Sequence, residues 1–434
     1  AVYGDEGDDV IVAGNTSSPT SVATPVVVSG GAGADTITGG GGDDVLASGD
    51  FVSGVSFPAD DMGLERDSIS GGTGRDAIAI GYGDNADGGA DIDSLRLSLG
   101  GAASGVDFNT AGIVSGSPLS FGGGTIQNLE TLLYLRGTEF ADTLQLATQP
   151  QRLIVDAGAG DDVIISQAST VALSGGAGND RFVSGIAADS FDGGAGNDTV
   201  DYSGATAGVN VNLRTGAGAG GDTLTNVEGV IGSGFDDTLI GSASGSTLSG
   251  GAGADRLEVG LRDVVNTGAG ADLIYVTLGS HSSASQTAAI QVNDFAAGDR
   301  LQFGTVTGAY TELTAGSFTA ASTAADAQAA AGYNFVSVQV GSDVFVFGNA
   351  ISGRQHFDDA VRLVGVGLDA VSASNVGLSG ALETPVTPVT PTTPTTPTTP
   401  TTPTTPTTPT TPTAPPTPSL PAAPAFVANG ASGG

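Results

Sequence analysis

The sequence predicts an all-β fold, a solenoid of short strands joined by glycine-rich turns, and three observations carry that reading. A nine-residue unit, G-G-x-G-x-D-x-U-x with U a large apolar residue, keeps returning. Residues 175–183 and 193–201 are full copies, and residues 30–38 run straight into residues 39–47. The apolar residue stands two places after the Asp in copy after copy, at Ile37, Leu46, Ile78, Ile164, Phe182, Val200, Leu257 and Ile274. Composition agrees: 71 of the 434 residues are Gly, and 38 of the 46 acidic residues are Asp, the short carboxylate that suits a turn. One unit alone cannot bury its U residue; stacked units can.

Each position of the unit has a physical reason. Glycine permits positive φ and tight curvature, so several carbonyl oxygens can be aimed into the turn. The Asp adds a carboxylate. Together these are the ligands of a hard cation such as Ca²⁺, which takes six to eight oxygens at about 2.3–2.6 Å. The x-U-x triplet after the Asp reads as a short strand with U inward. The Asp residues that match are Asp9, Asp35, Asp44, Asp76, Asp162, Asp180, Asp198, Asp255 and Asp272. Carbonyl ligands are expected from Gly30, Gly33, Gly39, Gly42, Gly71, Gly74, Gly175, Gly178, Gly193, Gly196, Gly250, Gly253 and Gly270. Asp93, Asp142 and Asp237 sit in weaker units. Asp91 holds the fourth position in the first, and Phe140 and Phe235 hold it in the other two, which argues against metal there. A flexible Gly/Asp-rich loop region would not keep U in one place.

The unit resembles the RTX family, the hemolysin-type calcium-binding repeats of proteins exported by bacterial type I secretion. The resemblance implies a right-handed parallel β-roll with two nonapeptides per coil. It also implies several calcium ions, each between turns stacked one coil apart. Same-side turns then recur every 18 residues. Those on Ala157, Gly175 and Gly193 do so, as do those on Gly232 and Gly250. The intervening units lose the turn glycines but keep Leu173, Phe191 and Leu248, so these coils read as having one calcium edge and one metal-poor edge.

Along the chain, residues 1–94 form the first repeat block, interrupted near residues 51–67. Residues 95–146 form a strand-rich insert that passes through Ile126-Gln127-Asn128-Leu129-Glu130-Thr131-Leu132. The second block, 147–276, carries an internal insert at 202–231 with a parallel passage, Leu224-Thr225-Asn226-Val227-Glu228. Residues 277–383 resemble the segment that closes RTX regions before the export signal, and read as a small, mainly β cap. It is expected to hold a helix over the Ala-rich residues 320–331, a hairpin around Gly341-Ser342-Asp343 and a final strand over 359–366. Residues 384–434 repeat Pro-Thr-Thr and read as an extended linker and tail. The chain opens inside a degenerate repeat without an initiator Met, and reads as a piece of a longer protein.

Composition excludes several functions. The net charge is -34, and all 12 basic residues are Arg. Nucleic acid is not a partner for so acidic a surface. Without cations the carboxylates repel one another and favour an expanded chain, so metal binding is expected to be coupled to folding. There is no Cys, hence no disulfide. No apolar run is long enough for a transmembrane helix. The two histidines, His281 and His356, lie in no zinc motif, and neither H-E-x-x-H nor G-x-S-x-G occurs. No catalytic residue is named, and the chain is not read as an enzyme. Two function classes remain. One is a calcium-stiffened extracellular spacer, structural or adhesive, on or released from a bacterial cell surface. Its partner classes are cell-surface glycans and other copies of itself. The other is the calcium-binding and secretion region of a larger secreted enzyme or toxin whose catalytic domain lies upstream.

Overall fold

A computed structural model describes residues 1–13, 24–50, 60–115, 117–167, 170–185, 187–277, 289–348, 356–357 and 359–377. The Thr/Pro tract and His281 lie outside the described residues. The chain forms a parallel β-roll. Each coil is strand, turn, strand, turn, and the strands of successive coils pair in parallel.

Four sheets result. Sheet I has ten strands, from Val2–Tyr3 to Thr223–Thr225. Opposite it stand sheet II, six strands from Val10–Val12 to Leu119–Phe121, and then sheet III, thirteen strands beginning at Asp107–Asn109. Sheet IV, five strands from Asn210–Asn212 to Arg300–Phe303, takes over from sheet I. Register advances by one coil: Leu173 pairs with Val155 on one side and Phe191 on the other, and Phe182 pairs with Ile164 and Val200.

Short strands suffice because each buries every second side chain. In Val171–Ala177, Val171 and Leu173 are buried while Ala172 and Ser174 are half-exposed. The eight U residues named from the sequence are each no more than 1% exposed. Leu173, Phe191 and Leu248 join them in one continuous core, where the rings of Phe182 and Phe191 lie 5.4 Å apart. Burial of each such side chain contributes about 1.5–3 kcal/mol.

Much of what reads as an insert belongs to the roll. Within residues 95–146, Ser94–Ser98 and Thr131–Arg136 stay in sheet I, and Thr143–Leu146 stays in sheet III. The chain leaves the regular coil only between Ser98 and Thr131. There it first lays down Asp107–Asn109, which pairs with the later Thr143–Leu146 and opens sheet III. It then turns back to add Gly124–Gln127 to the end of sheet II, beside Asn85–Ala90. The second insert repeats the manoeuvre. Asn210–Asn212 opens sheet IV against Thr238–Ile240, and Thr223–Thr225 closes sheet I against Ser190–Ala195. Each insert ends one sheet and starts its successor while the sheet opposite runs through.

The roll continues past residue 276. Arg300–Phe303 adds to Leu273–Val276, and Ile290–Val292 adds to Val264–Ala269. Sheet III then turns mixed, through Asp359–Leu363, Asp343–Gly348, Phe335–Val340 and Tyr310–Ala315. One face of this end sheet, with Phe335, Val344 and Val346, packs on the main core. The other, with Val336, Val338, Phe345 and Phe347, packs on Ala321, Ala325 and Ala329 of the helix Phe318–Ala330. Burial on both faces explains why these strands are almost continuously apolar. The helix starts two residues earlier than its Ala content suggests, because the Ser317 hydroxyl accepts from the Ala320 N–H and caps it. The hairpin turns at Gly341-Ser342, with Asp343 already in the second strand.

Candidate metal sites along the turns

The turn from Gly175 to Asp180 shows how the unit works. Gly176 and Gly178, at positions two and four, have φ of 104° and 139°. Gly175, at position one, does not share that conformation; a Cβ there would overlap Asp180 Oδ2 where that atom now stands. The chain's own variation agrees. Position one is Ala157 and Thr267 in two turns, whereas Gly158, Gly160, Gly268 and Gly270 keep positive φ. The turn glycines therefore fall into two kinds. Of the glycines named, Gly30, Gly39, Gly71, Gly175, Gly193 and Gly250 make room, while Gly33, Gly42, Gly74, Gly178, Gly196, Gly253 and Gly270 curve the backbone. The second glycines, such as Gly31, Gly72 and Gly176, were not singled out and curve it equally.

The turn aspartates form ladders. Asp162 N–H donates to Asp180 Oδ1 at 2.9 Å, and Asp180 N–H donates to Asp198 Oδ1 at 2.8 Å. The same bond joins Asp9 to Asp35, Asp44 to Asp76, Asp76 to Asp93, Asp237 to Asp255 and Asp255 to Asp272. One carboxylate oxygen thus holds the coil stack together. The other, Oδ2, is buried and accepts nothing in Asp9, Asp35, Asp44, Asp76, Asp93, Asp162, Asp180, Asp198, Asp255 and Asp272. These are the nine aspartates read from the motif plus Asp93, whose turn is rescued because Asp91 itself adopts φ of 89° in place of glycine.

The two units with Phe at position four differ. Asp142 Oδ2 accepts from Thr138 N–H at 2.7 Å, and Asp237 Oδ2 accepts from Ser233 N–H at 2.5 Å. The other edge of the second block is closed in the same way: Asp189 Oδ2 accepts from Ser166 Oγ, and Asp222 Oδ2 from Tyr202 OH. Asp263 Oδ2 accepts from Gly260 N–H. Carboxylates here either have both oxygens satisfied by protein or keep one bare.

Burial of the bare ones pushes their pKa values up. Asp162 is raised to about 7, and Asp76, Asp180, Asp255 and Asp272 to about 6. Burial is the largest cause; the backbone N–H of the preceding coil opposes it, and neighbouring carboxylates add to it. Oxygen donors of this kind, carboxylate and carbonyl without nitrogen or sulfur, suit a hard divalent cation. Such a charge offsets both the burial and the repulsion.

A second ladder runs outside the first at position five, which the motif leaves unspecified. Asn179 N–H donates to Asp161 Oδ1, and Asn197 N–H to Asn179 Oδ1. Asp8, Asp43 and Asp236 accept in the same way from Ala34, Arg75 and Ala254. The preference for Asp or Asn just before the turn Asp was its only sequence signal. A further cluster comes from the interruption in the first block: carboxylate oxygens of Asp61, Asp67 and Asp84 lie within 4.8 Å of one another. Burial, with Asp84 and Asp61 adding to it, raises Asp67 to about 7. His356 lies exposed at a bend beside Phe357, away from these turns in sequence.

The family model for the RTX calcium-binding nonapeptide repeat matches four stretches of the chain, residues 2–16, 27–51, 173–204 and 231–261. They contain six of the turn aspartates with a bare oxygen, Asp9, Asp35, Asp44, Asp180, Asp198 and Asp255. Asp76, Asp93, Asp162 and Asp272 lie outside the matches yet have the same bare oxygen. No curated protein matches the chain.

Proposed function

We propose that this chain, which carries RTX calcium-binding nonapeptide repeats, is a calcium-stiffened extracellular spacer, structural or adhesive, on or released from a bacterial cell surface. The observation that supports this most is the set of ten turn-aspartate oxygens, among the described residues, that are buried and accept no hydrogen bond. A charged oxygen taken out of water without a partner opposes folding. Bound calcium supplies the missing positive charge. The aspartates hold their oxygens in place through the N–H bonds of the preceding coil, and in most turns a glycine at position one leaves space beside them. Bare oxygens run from Asp9 to Asp272, so the whole roll responds to the cation.

A chain at -34 repels itself when free of cations. Proteins with such repeats are typically exported by type I secretion, and an unfolded chain suits passage through a channel. Calcium outside the cell then completes the fold. Calorimetric titration of the chelated full chain tests the calcium step: several ions should bind, with a parallel gain of β signal, and no binding at millimolar calcium contradicts it. Fractionation of producing cells tests location. Recovery in the surface or medium fraction supports the reading, and recovery in the cytoplasm alone contradicts it.

A further inference from the structure

Two short turns end the aspartate ladders, and we infer that each completes a last calcium site of its own: Glu130 and the Asn128 carbonyl with Asp93, and Glu228 and the Asn226 carbonyl with Asp198. The inference rests on the calcium reading above. Inside a run, the N–H of a turn Asp finds the next Asp Oδ1 one coil on. After Asp93 and Asp198 no further Gly-Asp turn follows on that edge. The next coil enters through Asn128-Leu129-Glu130 or Asn226-Val227-Glu228 instead. Asp93 N–H donates to Glu130 Oε2 at 2.9 Å, and Asp198 N–H donates to Glu228 Oε2 at 3.0 Å.

The space beside the last aspartates is arranged as it is inside a run. Asp93 and Asp198 are fully buried, and their Oδ2 atoms have no partner. Asn128 and Asn226 take φ of 51° and 50°, in the left-handed region that Asn tolerates. Their side-chain amides fix that conformation by donating to Asp87 Oδ1 at 2.7 Å and Asp192 Oδ1 at 2.8 Å. The result places each Asn carbonyl against the space-making glycine. A Cβ on Gly88 would overlap Asn128 O and lie 2.6 Å from Asp93 Oδ2; one on Gly193 would overlap Asn226 O and lie 2.5 Å from Asp198 Oδ2. Inside a run, a Cβ on Gly71 would likewise overlap Asp76 Oδ2 and lie 2.5 Å from Gly88 O.

The charge of the closing residue decides between a hydrogen-bond cap and a ligand. A cap needs only a neutral acceptor. Here a carboxylate is set beside Asp93, where Asp91 and Asp87 already act on it, and beside Asp198, where Asp192 does. Adding negative charge to such a place stabilises it only if a cation lies among the oxygens. The chain builds this arrangement twice, in separate inserts.

Glu130→Gln and Glu228→Gln in the full chain test it, because the amide oxygen still accepts the Asp N–H and only the charge is lost. Equilibrium dialysis with calcium should show each variant losing one ion, or binding it about 10–100-fold more weakly. The double variant should lose two, with no fall in the melting midpoint under chelator. If the Gln variants bind as the parent does and only Glu→Ala variants lose ions, the glutamates are hydrogen-bond acceptors and the inference is overturned. Asp180→Asn, inside a run, separates the two levels. A parent chain that binds no calcium overturns the calcium reading itself; loss of ions in Asp180→Asn but in neither Gln variant overturns only the closing turns.

Discussion

The two oxygens of a turn aspartate have separate tasks, and substitution can tell them apart. In Asp180→Asn the side-chain oxygen still accepts the Asp162 N–H, but an amide replaces the bare Oδ2. Calcium affinity should fall while the chelated protein melts no lower than the parent. Asp142→Asn should do the reverse, because both of its oxygens are bonded to Thr138. The calcium count should stay the same, and stability should drop by about 1–3 kcal/mol with or without calcium, as measured by denaturant unfolding. Glycines divide similarly. Gly176→Ala forces a side chain into φ of 104° against the Gly158 carbonyl and should unfold the coil at any calcium level. Gly175→Ala should keep the fold, as Ala157 does at the same position, and weaken calcium binding by displacing Asp180 Oδ2. Paired melts with chelator and with calcium distinguish them. The Asp at position six, and a difference in the Phe140 and Phe235 units, were legible in the sequence because side-chain chemistry decides both. The separate roles of the first two glycines were not, because both are the same residue and only φ and neighbouring coils distinguish them.

pH provides a further check at this scale. Under chelator, Asp76, Asp162, Asp180, Asp255 and Asp272 have folded pKa values of about 6–7 against an ordinary 3.8. The folded chain therefore binds protons more readily than the unfolded one between those limits. This contribution is full below about pH 4 and is lost as pH rises through about 6–7. Calcium needs the same groups ionised, so acid works against the loaded state. Between about pH 8 and about pH 5, the melting midpoint should rise under chelator and fall in calcium. Midpoints that move in the same direction would contradict this assignment of charge.

Elements were readable where their partners are near in sequence. The hairpin of Phe335–Val340 and Asp343–Gly348 follows from apolar alternation and a Gly-Ser turn. The helix follows from its Ala content, and its buried stripe Ala321, Ala325, Ala329 is small enough to sit close to the sheet. Phe347 lies under this helix against Phe318 and Phe357. Phe347→Ala should cost about 3–5 kcal/mol, and should lower the melting midpoint equally with and without calcium, since no turn ladder is touched. The inserts were visible as a duplicated passage, but their pairing was not. Val106 N–H reaches Asp142 Oδ1 across 36 residues, and Val209 N–H reaches Asp237 Oδ1 across 28. A strand that opens a sheet ahead of its partner has no local signature, so both passages read as strand-rich inserts with no pairing assigned. The same distance effect hid the extra coil after residue 276, where Asp272 N–H donates to Asp299 Oδ1 across a 27-residue gap.

Over the whole molecule, the inserts move the bare oxygens from edge to edge. In the first block they occur on both edges, at Asp35 on the way into sheet II and at Asp44, Asp76 and Asp93 on the way out. In the second they lie where the chain passes from sheet I to sheet III, at Asp162, Asp180 and Asp198. After the insert in that block they lie where the chain leaves sheet III for sheet IV, at Asp255 and Asp272. Carboxylate repulsion is thereby spread along the roll, and the apolar core must overcome it everywhere at once when no cation is present. The central claim is that calcium completes this fold. Circular dichroism of the full chain, under chelator and then at about 1 mM calcium, tests it most directly. Under chelator a reduced β signal and a low thermal midpoint are expected, then a steep gain of β signal and a raised midpoint as calcium is added. A chelated chain that already shows the full β spectrum and the same midpoint would contradict it.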